Sequence, residues 1–230
     1  MVVSFDTKNA GRLANAHHTR RTKDNPPIGG ALKRGFDILF ASAALLLLSP
    51  HFLIIAALVK FSDGGSVLYG HRRIGCNGET FRCLKFRTMV PNSEQVLAAY
   101  LRANPEARRE WHATRKLRND PRVTPIGAVL RKLSLDELPQ ILNVLRGEMS
   151  MVGPRPVVHD ELARYGGAVE CYLKTRPGLT GLWQVSGRND VSYDMRVAYD
   201  LHYVENWSLA TDLLIILKTI PAVCLSRGSY

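Results

Sequence analysis

The sequence is poor in several things at once. It has four cysteines, Cys76, Cys83, Cys171 and Cys224, and no Cys-x-x-Cys pair among them. That excludes a disulfide scaffold and a structural zinc site, and points to a reducing compartment. Acidic residues are scarce: 20 Asp and Glu against 31 Lys and Arg leave a formal charge of +11. Such an excess calls for an anionic partner, be it nucleic acid, an anionic membrane face or a phosphorylated substrate. The regular interleaving of aromatic and basic residues used by single-strand binders is absent, which argues against nucleic acid. Common catalytic signatures are missing too. Gly65 and Gly70 keep the glycine spacing of a P-loop, but His71 and Arg72 stand where Lys and Ser or Thr belong. There is no Gly-x-Gly-x-x-Gly, no Gly-x-Ser-x-Gly and no His-Glu-x-x-His, so nucleotide-dependent redox, serine hydrolysis and zinc proteolysis lose their usual motifs.

What is present is a globular mix, 46% apolar and 22% charged in 230 residues. At roughly 150 residues per domain this is one domain with a real core, and it carries no internal repeat. Residues 1–32 combine Gly, Asn, His, Thr, Pro and basic residues without an apolar period, and read as a flexible basic leader. Residues 36–59 are almost wholly apolar, interrupted at Ser49, Pro50 and His51. Crossing a bilayer core of roughly 30 Å takes about 20 uninterrupted apolar residues, and the pieces on either side of Pro50 are shorter. Proline lacks an N–H and crowds the preceding turn, so a sharp kink is expected at Ser49 and Pro50, with the serine hydroxyl available to the carbonyl that proline releases. Lys33 and Arg34 precede the run; Lys60, Arg72 and Arg73 follow it. The positive-inside rule wants both flanks on the cytoplasmic side, which makes residues 33–61 a re-entrant membrane helix. A plain spanning anchor, a buried core helix and a cleaved signal sequence are the competing readings, the last disfavoured by the long basic leader and the lack of a clear small-residue cleavage site.

Residues 66–69 and 80–86 are β-prone and flank a turn with Gly75, Asn77 and Gly78, which predicts a small β-hairpin. Residues 93–117 read as two short surface helices broken at Asn104 and Pro105. Leu138, Ile141, Leu142 and Leu145 mark an amphipathic helix ending near Gly147. Residues 209–225, entered through an N-cap at Ser208, read as a helix lying in a membrane interface or buried in the core. The fold class expected is α+β, mainly helical, with amphipathic interfacial helices around a catalytic domain over residues 62–230.

Cationic residues recur in short segments cornered by Gly and Pro: Lys85 and Arg87, Arg131, Arg155 between Pro154 and Pro156, Arg176 before Pro177-Gly178, and Gln184 followed by Arg188. Arginine offers a planar fork for bidentate phosphate contacts, so this pattern suits a diphosphate pocket. Any one of them alone fits a surface ion pair equally well. Among them sit Asp136 and Glu137. Ser134-Leu135-Asp136-Glu137 matches a capping box with Ser134 as N-cap. Alternatively Pro139 starts the helix and leaves both acids on the approach loop, where they could hold Mg²⁺ or one could attack phosphorus. The surrounding cations are expected to keep both carboxylates ionised.

Taken in order, Lys33-Arg34 with Asp37, Ser49-Pro50, the Lys85 to Met89 segment, Ser134 to Gln140, Gly153-Pro154-Arg155-Pro156, Arg176-Pro177-Gly178 and Gln184 to Asn189 resemble the bacterial sugar transferase family. These are the monotopic polyprenyl-phosphate phosphoglycosyl transferases that begin exopolysaccharide, O-antigen and glycoprotein assembly. The resemblance runs from residue 33 to about residue 225. It implies a re-entrant helix bent at Ser49 and Pro50 in the bacterial inner membrane, with the active site on the cytoplasmic face. It implies transfer of a sugar 1-phosphate from a UDP-sugar to undecaprenyl phosphate with release of UMP. Asp136 would be the nucleophile that carries the phosphoglycosyl group, Glu137 would assist the acceptor step or the metal, and both would hold Mg²⁺. Lys85, Arg87, Arg131, Arg155, Arg176, Gln184 and Arg188 become contacts for phosphate and uridine. Residues 92–118 are similar to the longer hexose-1-phosphate members, which favours UDP-galactose or UDP-glucose. A homodimer is left open, and nucleic acid is not expected as a partner. The rival from another class is a non-catalytic, membrane-tethered basic module that binds nucleic acid or an anionic polymer.

Overall fold

A computed structural model describes residues 26–186 and 191–224. Residues 1–25 of the expected leader lie outside the described residues, as does Arg188. The helices are α1 (Gly30–Asp63), α2 (Ser93–Ala103), α3 (Pro105–Thr114), α4 (Pro125–Lys132), α5 (Gln140–Arg146), α6 (His159–Leu162), α7 (Val169–Leu173), α8 (Leu182–Ser186), α9 (Tyr193–Glu205) and α10 (Leu209–Cys224). The strands are β1 (Leu68–Ile74), β2 (Thr80–Phe86), β3 (Ser150–Val152) and β4 (Gly178–Thr180). The chain is thus mainly helical with small sheets, the α+β class expected.

Helix α1 starts inside the expected leader, at Gly30, and keeps its helical assignment through Pro50 to Asp63. At about 1.5 Å per residue its 34 residues span roughly 51 Å. Pro50 has no N–H for the Leu46 carbonyl, and the Ser49 hydroxyl donates to that carbonyl at 2.8 Å. One stripe of α1 is buried: Lys33, Asp37 and Ala41 near the start, Ile55 and Val59 near the end. Ala41 packs with Ile141, Val144, Met149, Tyr203 and Ile215, whereas Ile55 and Val59 pack with Phe86 and Leu130. Both ends of the helix therefore return to the same body. Its other faces leave Leu46, Leu47 and Phe61 at 78%, 77% and 88% exposure. That much apolar surface marks contact with lipid or a partner.

Strands β1 and β2 pair antiparallel from Leu68 with Phe86 to Ile74 with Thr80. The hairpin's tight end works because Asn77 and Gly78 take positive φ, 56° and 79°. Strands β3 and β4 pair in parallel, Ser150 with Gly178 and Val152 with Thr180. A Cβ on Gly178 would lie 2.1 Å from the Gly153 amide nitrogen, so glycine is required where these two strands meet. Helices α2 and α3 divide at Asn104 as expected. Helix α10 begins with the Ser208 hydroxyl accepting from the Thr211 amide at 3.1 Å.

The capping box expected at Ser134 does not form. Ser134 sits in the left-handed region at φ 56° and its side chain caps nothing; Leu135–Glu137 make a 3₁₀ turn, and α5 starts after Pro139. An N-cap needs an extended backbone to aim its hydroxyl at the helix amides, and a left-handed residue cannot supply it.

A buried polar network ties α1 to the body. The Lys33 ammonium donates to Asp212 Oδ2 at 2.7 Å and lies 3.4 Å from Asp37 Oδ1. Asp37 Oδ1 also accepts from the Ser150 hydroxyl at 2.8 Å and the Met151 amide at 3.0 Å. Asp212 accepts from Trp207 Nε1 and from the Tyr203 hydroxyl. Removing the one cation leaves two buried carboxylates uncompensated, so Lys33→Met should cost about 3–5 kcal/mol, read as lowered thermal stability of the lipid-reconstituted protein.

Candidate active site

The end of β2, the 3₁₀ turn before α5, the loop after β3 and helix α8 surround a cavity of about 280 Å³. Its walls include Lys85, Glu137, Arg155 and Gln184, all singled out in the sequence, together with Arg73, Gln140 and Trp183, which were not. Lys85 Nζ is 2.6 Å from Glu137 Oε1 and 3.7 Å from Asp136 Oδ2. Asp136 is 8% exposed and sits behind the cavity wall, its carboxylate against the Lys85 ammonium that lines the cavity. Gln184 Oε1 is buried without a hydrogen-bond partner, an acceptor left for a donor group in the cavity.

At Asp136 burial works against the cations that surround it. Burial pushes the Asp136 carboxyl above the usual carboxylate range; Lys85 pulls it down, Glu137 pushes it up and Arg131 pulls it down, and burial prevails. A carboxylate held this way is poorly solvated, which favours attack on an electrophile once it is ionised. Cys83 also lines the cavity, but burial pushes its thiol up to about 11, which keeps it protonated and a poor nucleophile.

Other cationic candidates are committed elsewhere. The Arg87 guanidinium pairs with Asp63 and donates to the carbonyls of Ser66 and Met89, clamping the end of α1 to the end of β2. Arg176 Nε donates to the Gly147 carbonyl at 2.8 Å, just past the end of α5. Arg131 Nε donates to the Thr88 hydroxyl at 2.9 Å and its charge reaches Asp136. Arg73 holds a loose contact with Glu161 at 3.4 Å, and the Trp183 ring carries Arg196 at 4.7 Å. In the sequence Arg73 stood out only as a basic flank of the apolar run; strand β1, longer than the run expected at 66–69, carries it to the cavity.

Asn143 holds the two halves of the site in register. Fully buried on α5, it accepts from the Leu84 amide at 2.9 Å and donates to the Arg82 carbonyl at 2.8 Å, so it pairs with β2 as a further strand would. Its side chain also donates to Glu148 at 2.6 Å. It thereby couples the strand that carries Lys85 to the helix that follows Asp136 and Glu137.

Two adjacent carboxylates are present, and among the described residues no third His, Cys, Asp or Glu joins them in a metal cluster. Mg²⁺ is commonly held by one or two carboxylates plus substrate phosphates, so the pair fits an ion shared with a diphosphate and not an all-protein cage. A larger hollow of about 440 Å³ beside α2 and α3 has Glu106 and Glu110 against Arg118 on its walls, a poor match for an anion.

The family model described as bacterial sugar transferase matches residues 28–226. The chain is 71% identical over 204 residues to the exopolysaccharide production protein ExoY of Rhizobium meliloti, covering 89% of this chain and 90% of that one. It is 53% identical to the undecaprenyl-phosphate galactose phosphotransferase of Salmonella typhimurium, covering 86% of this chain and 42% of that one. Against the UDP-glucose:undecaprenyl-phosphate glucose-1-phosphate transferase of Escherichia coli, identity is 38%, covering 89% and 43%.

Replacing Asn143 by Ala would take its partner from a part-buried amide, a carbonyl and a carboxylate oxygen at once. The loss should be about 3 kcal/mol, measured by thermal or denaturant unfolding.

Proposed function

The chain belongs to the bacterial sugar transferase family and is a transferase, and from that premise we propose that it moves hexose 1-phosphate from UDP-galactose or UDP-glucose to undecaprenyl phosphate, as the opening step of exopolysaccharide assembly. The observation that carries this reading is the ammonium of Lys85 between Asp136 and Glu137 at a cavity shared with Arg73 and Arg155. Membership in a transferase family removes the rival reading as a non-catalytic basic module.

In the reading proposed, Arg155, Arg73 and Lys85 take the donor's diphosphate, and the lone acceptor Gln184 Oε1 takes a hydroxyl or N–H of the donor. An Asp136 oxygen attacks the sugar-bearing phosphorus, the bond to the UMP oxygen breaks, and a phosphoglycosyl aspartate remains. The phosphate oxygen of undecaprenyl phosphate then attacks the same phosphorus, which restores the carboxylate and yields the polyprenyl diphosphate sugar. Glu137 steadies Lys85 and assists the acceptor step. Asp136 and Glu137 would hold a Mg²⁺ shared with the donor, and bound there the ion offsets the diphosphate's charge. A water-soluble donor and a lipid-buried acceptor can meet only at a membrane surface. The apolar outer faces of α1, with the Ser49 and Pro50 interruption and both ends returning to the body, support a re-entrant seat in the inner membrane. Lys33, Arg34 and Lys60 at its ends support a cytoplasmic site.

The test is intact-mass analysis of enzyme mixed with UDP-glucose or UDP-galactose and Mg²⁺, without acceptor. UMP release with a hexose-phosphate adduct at Asp136 is expected; product accumulating with no adduct would overturn the covalent route. Asp136→Asn should lower turnover about 10,000-fold or more, as loss of a nucleophile does. Chelation of divalent ions should abolish UMP release.

The pH dependence has a defined sign. Protonated Asp136 cannot attack, and Lys85 is the strongest influence that lowers its pKa. In Lys85→Met the acid limb of the UMP-release profile should therefore move to higher pH.

A further inference from the structure

Helix α5 carries two buried carboxamides with opposite fates. Asn143 spends its side chain on the fold, through the Leu84 amide, the Arg82 carbonyl and Glu148. Gln140, the first residue of the same helix, is 3% exposed and stands in the cavity wall with Lys85, Glu137 and Arg155. Among the described residues no hydrogen bond reaches its side chain, and its amide atoms are not sealed off as Gln184 Oε1 is. The carboxamide of Gln140 therefore opens onto the cavity with its acceptor oxygen and both donor hydrogens unspent.

Such a residue needs a reason. Burying a carboxamide without partners is costly, whereas a methionine would fill nearly the same volume with no polar group to satisfy. Val144, one turn further along the helix, is the apolar choice, fully buried in the core. For a diphosphate the cavity already offers Arg73, Lys85 and Arg155, and a neutral amide adds little beside three cations. What a carboxamide suits is a hydroxyl, since each can both donate and accept. Its place decides which hydroxyl. Leu138 and Pro139 both hold right-handed helical backbone, so the chain winds on from the 3₁₀ turn and Gln140 stands one turn beyond Asp136. Residues four apart on such a path have Cβ atoms roughly 5–6 Å apart. In a donor whose phosphorus is set against Asp136, the sugar hangs from that same phosphorus, and the first hydroxyl beyond it is the one on C2. Glucose and galactose share the configuration at C2 and differ at C4, so one residue can serve either donor.

We propose that Gln140 is a sugar-binding residue of the donor site: its carboxamide hydrogen-bonds the C2 hydroxyl of the hexose and so seats the sugar-bearing phosphorus against Asp136. This rests on the cavity being the donor site and on Asp136 being the nucleophile. The role has a signature that a structural one lacks. A residue kept for packing loses stability on substitution and slows every donor alike. One kept for the C2 hydroxyl leaves the fold as stable or more so, and its loss is felt only by donors that carry that hydroxyl.

The experiment measures kcat/KM of UMP release by the full chain in lipid nanodiscs with Mg²⁺ and undecaprenyl phosphate. The donors are UDP-glucose, UDP-galactose and their 2-deoxy analogues, each with wild type and Gln140→Met, and unfolding temperatures are taken alongside. Gln140→Met should unfold at or above the wild-type temperature and lose about tenfold in kcat/KM on the parent donor, the scale of one hydrogen bond whose partner is left unpaired. The 2-deoxy donor should lose about as much on wild type. On that donor Gln140→Met should add less than about a twofold change, because hydroxyl and carboxamide act as one unit. Wild-type kcat/KM in Gln140→Met, or equal losses on parent and 2-deoxy donors, would overturn the proposal. So would a wild type that turns over the 2-deoxy donor as fast as the parent, a check that needs no variant to fold. Release of UMP from neither parent donor would instead sink the donor-site reading, and the role of Gln140 with it.

Discussion

An ammonium cannot be buried without carboxylates, and Lys33 is the point at which this rule organises the molecule. Most of α1 beyond its first turns is apolar, and apolar contact is non-directional, so leucines alone would let the helix slide or rotate on the body. The pairing of Lys33 with Asp212 and Asp37 removes that freedom. Asp37 in turn takes the Ser150 hydroxyl and the Met151 amide of β3, the strand that leads into the Arg155 loop. One residue along, Arg34 donates to the carbonyls of Val144 and Leu145 at the end of α5, the helix that Asp136 and Glu137 precede. The entry turn of the apolar helix is thus rooted in the same two elements that border the cavity's charged residues. Where the apolar helix sits and where the cavity opens are consequently one geometric fact.

Within the cavity, charge is balanced locally before any ligand arrives. Glu137 takes the shorter contact with Lys85, 2.6 Å against 3.7 Å for Asp136, so the buried acid is the less neutralised of the two. That asymmetry separates two adjacent carboxylates with the same intrinsic chemistry into a half-exposed partner for a lysine and a desolvated one. Pairs of like groups driven apart by their surroundings are how one site accommodates two roles. Asn143 preserves the asymmetry by holding β2 against α5, since a shift of either element would change both distances together.

How much of this was legible in the sequence depended on range. The Ser49 hydroxyl bond to Leu46, the break at Asn104, the start of α5 after Pro139 and the cap at Ser208 involve residues four apart or fewer, and each followed from local stereochemistry. The capping box at Ser134 was local as well, yet it failed because the 3₁₀ turn needed a left-handed residue there, a demand of the surrounding path and not of the four residues themselves. Parallel pairing of β3 with β4 joins two three-residue segments far apart in the chain, too short to show a period. Arginines were the hardest to sort. Arg87, Arg155 and Arg176 sit in similar cornered segments, and what separates them is distant: Asp63 holds Arg87 and the Gly147 carbonyl holds Arg176, while Arg155 stands exposed on the cavity wall. Composition identifies a cationic pocket, while only tertiary contact decides which cation is spent on the fold.

The buried acids can be sorted by the same reasoning. Asp37 and Asp212 share a buried ammonium, and Asp120, set against Arg122, is held below the usual carboxylate range. These acids have a cation of the fold as direct partner, although Asp37 keeps one buried oxygen, Oδ2, without a hydrogen bond. Asp136 and Asp200 are the two whose burial outweighs the cations near them, and both are raised. Asp136 lies 3.7 Å from Lys85 of the cavity wall, and Asp200 accepts from the Tyr165 hydroxyl at 2.8 Å. Where local energetics are left unfavourable, the surrounding structure must be over-determined to hold them, and function is the usual reason such cost is retained. By that criterion Asp136, raised by burial beside a lysine of the cavity wall, is the buried acid most plainly set apart from the fold's own needs.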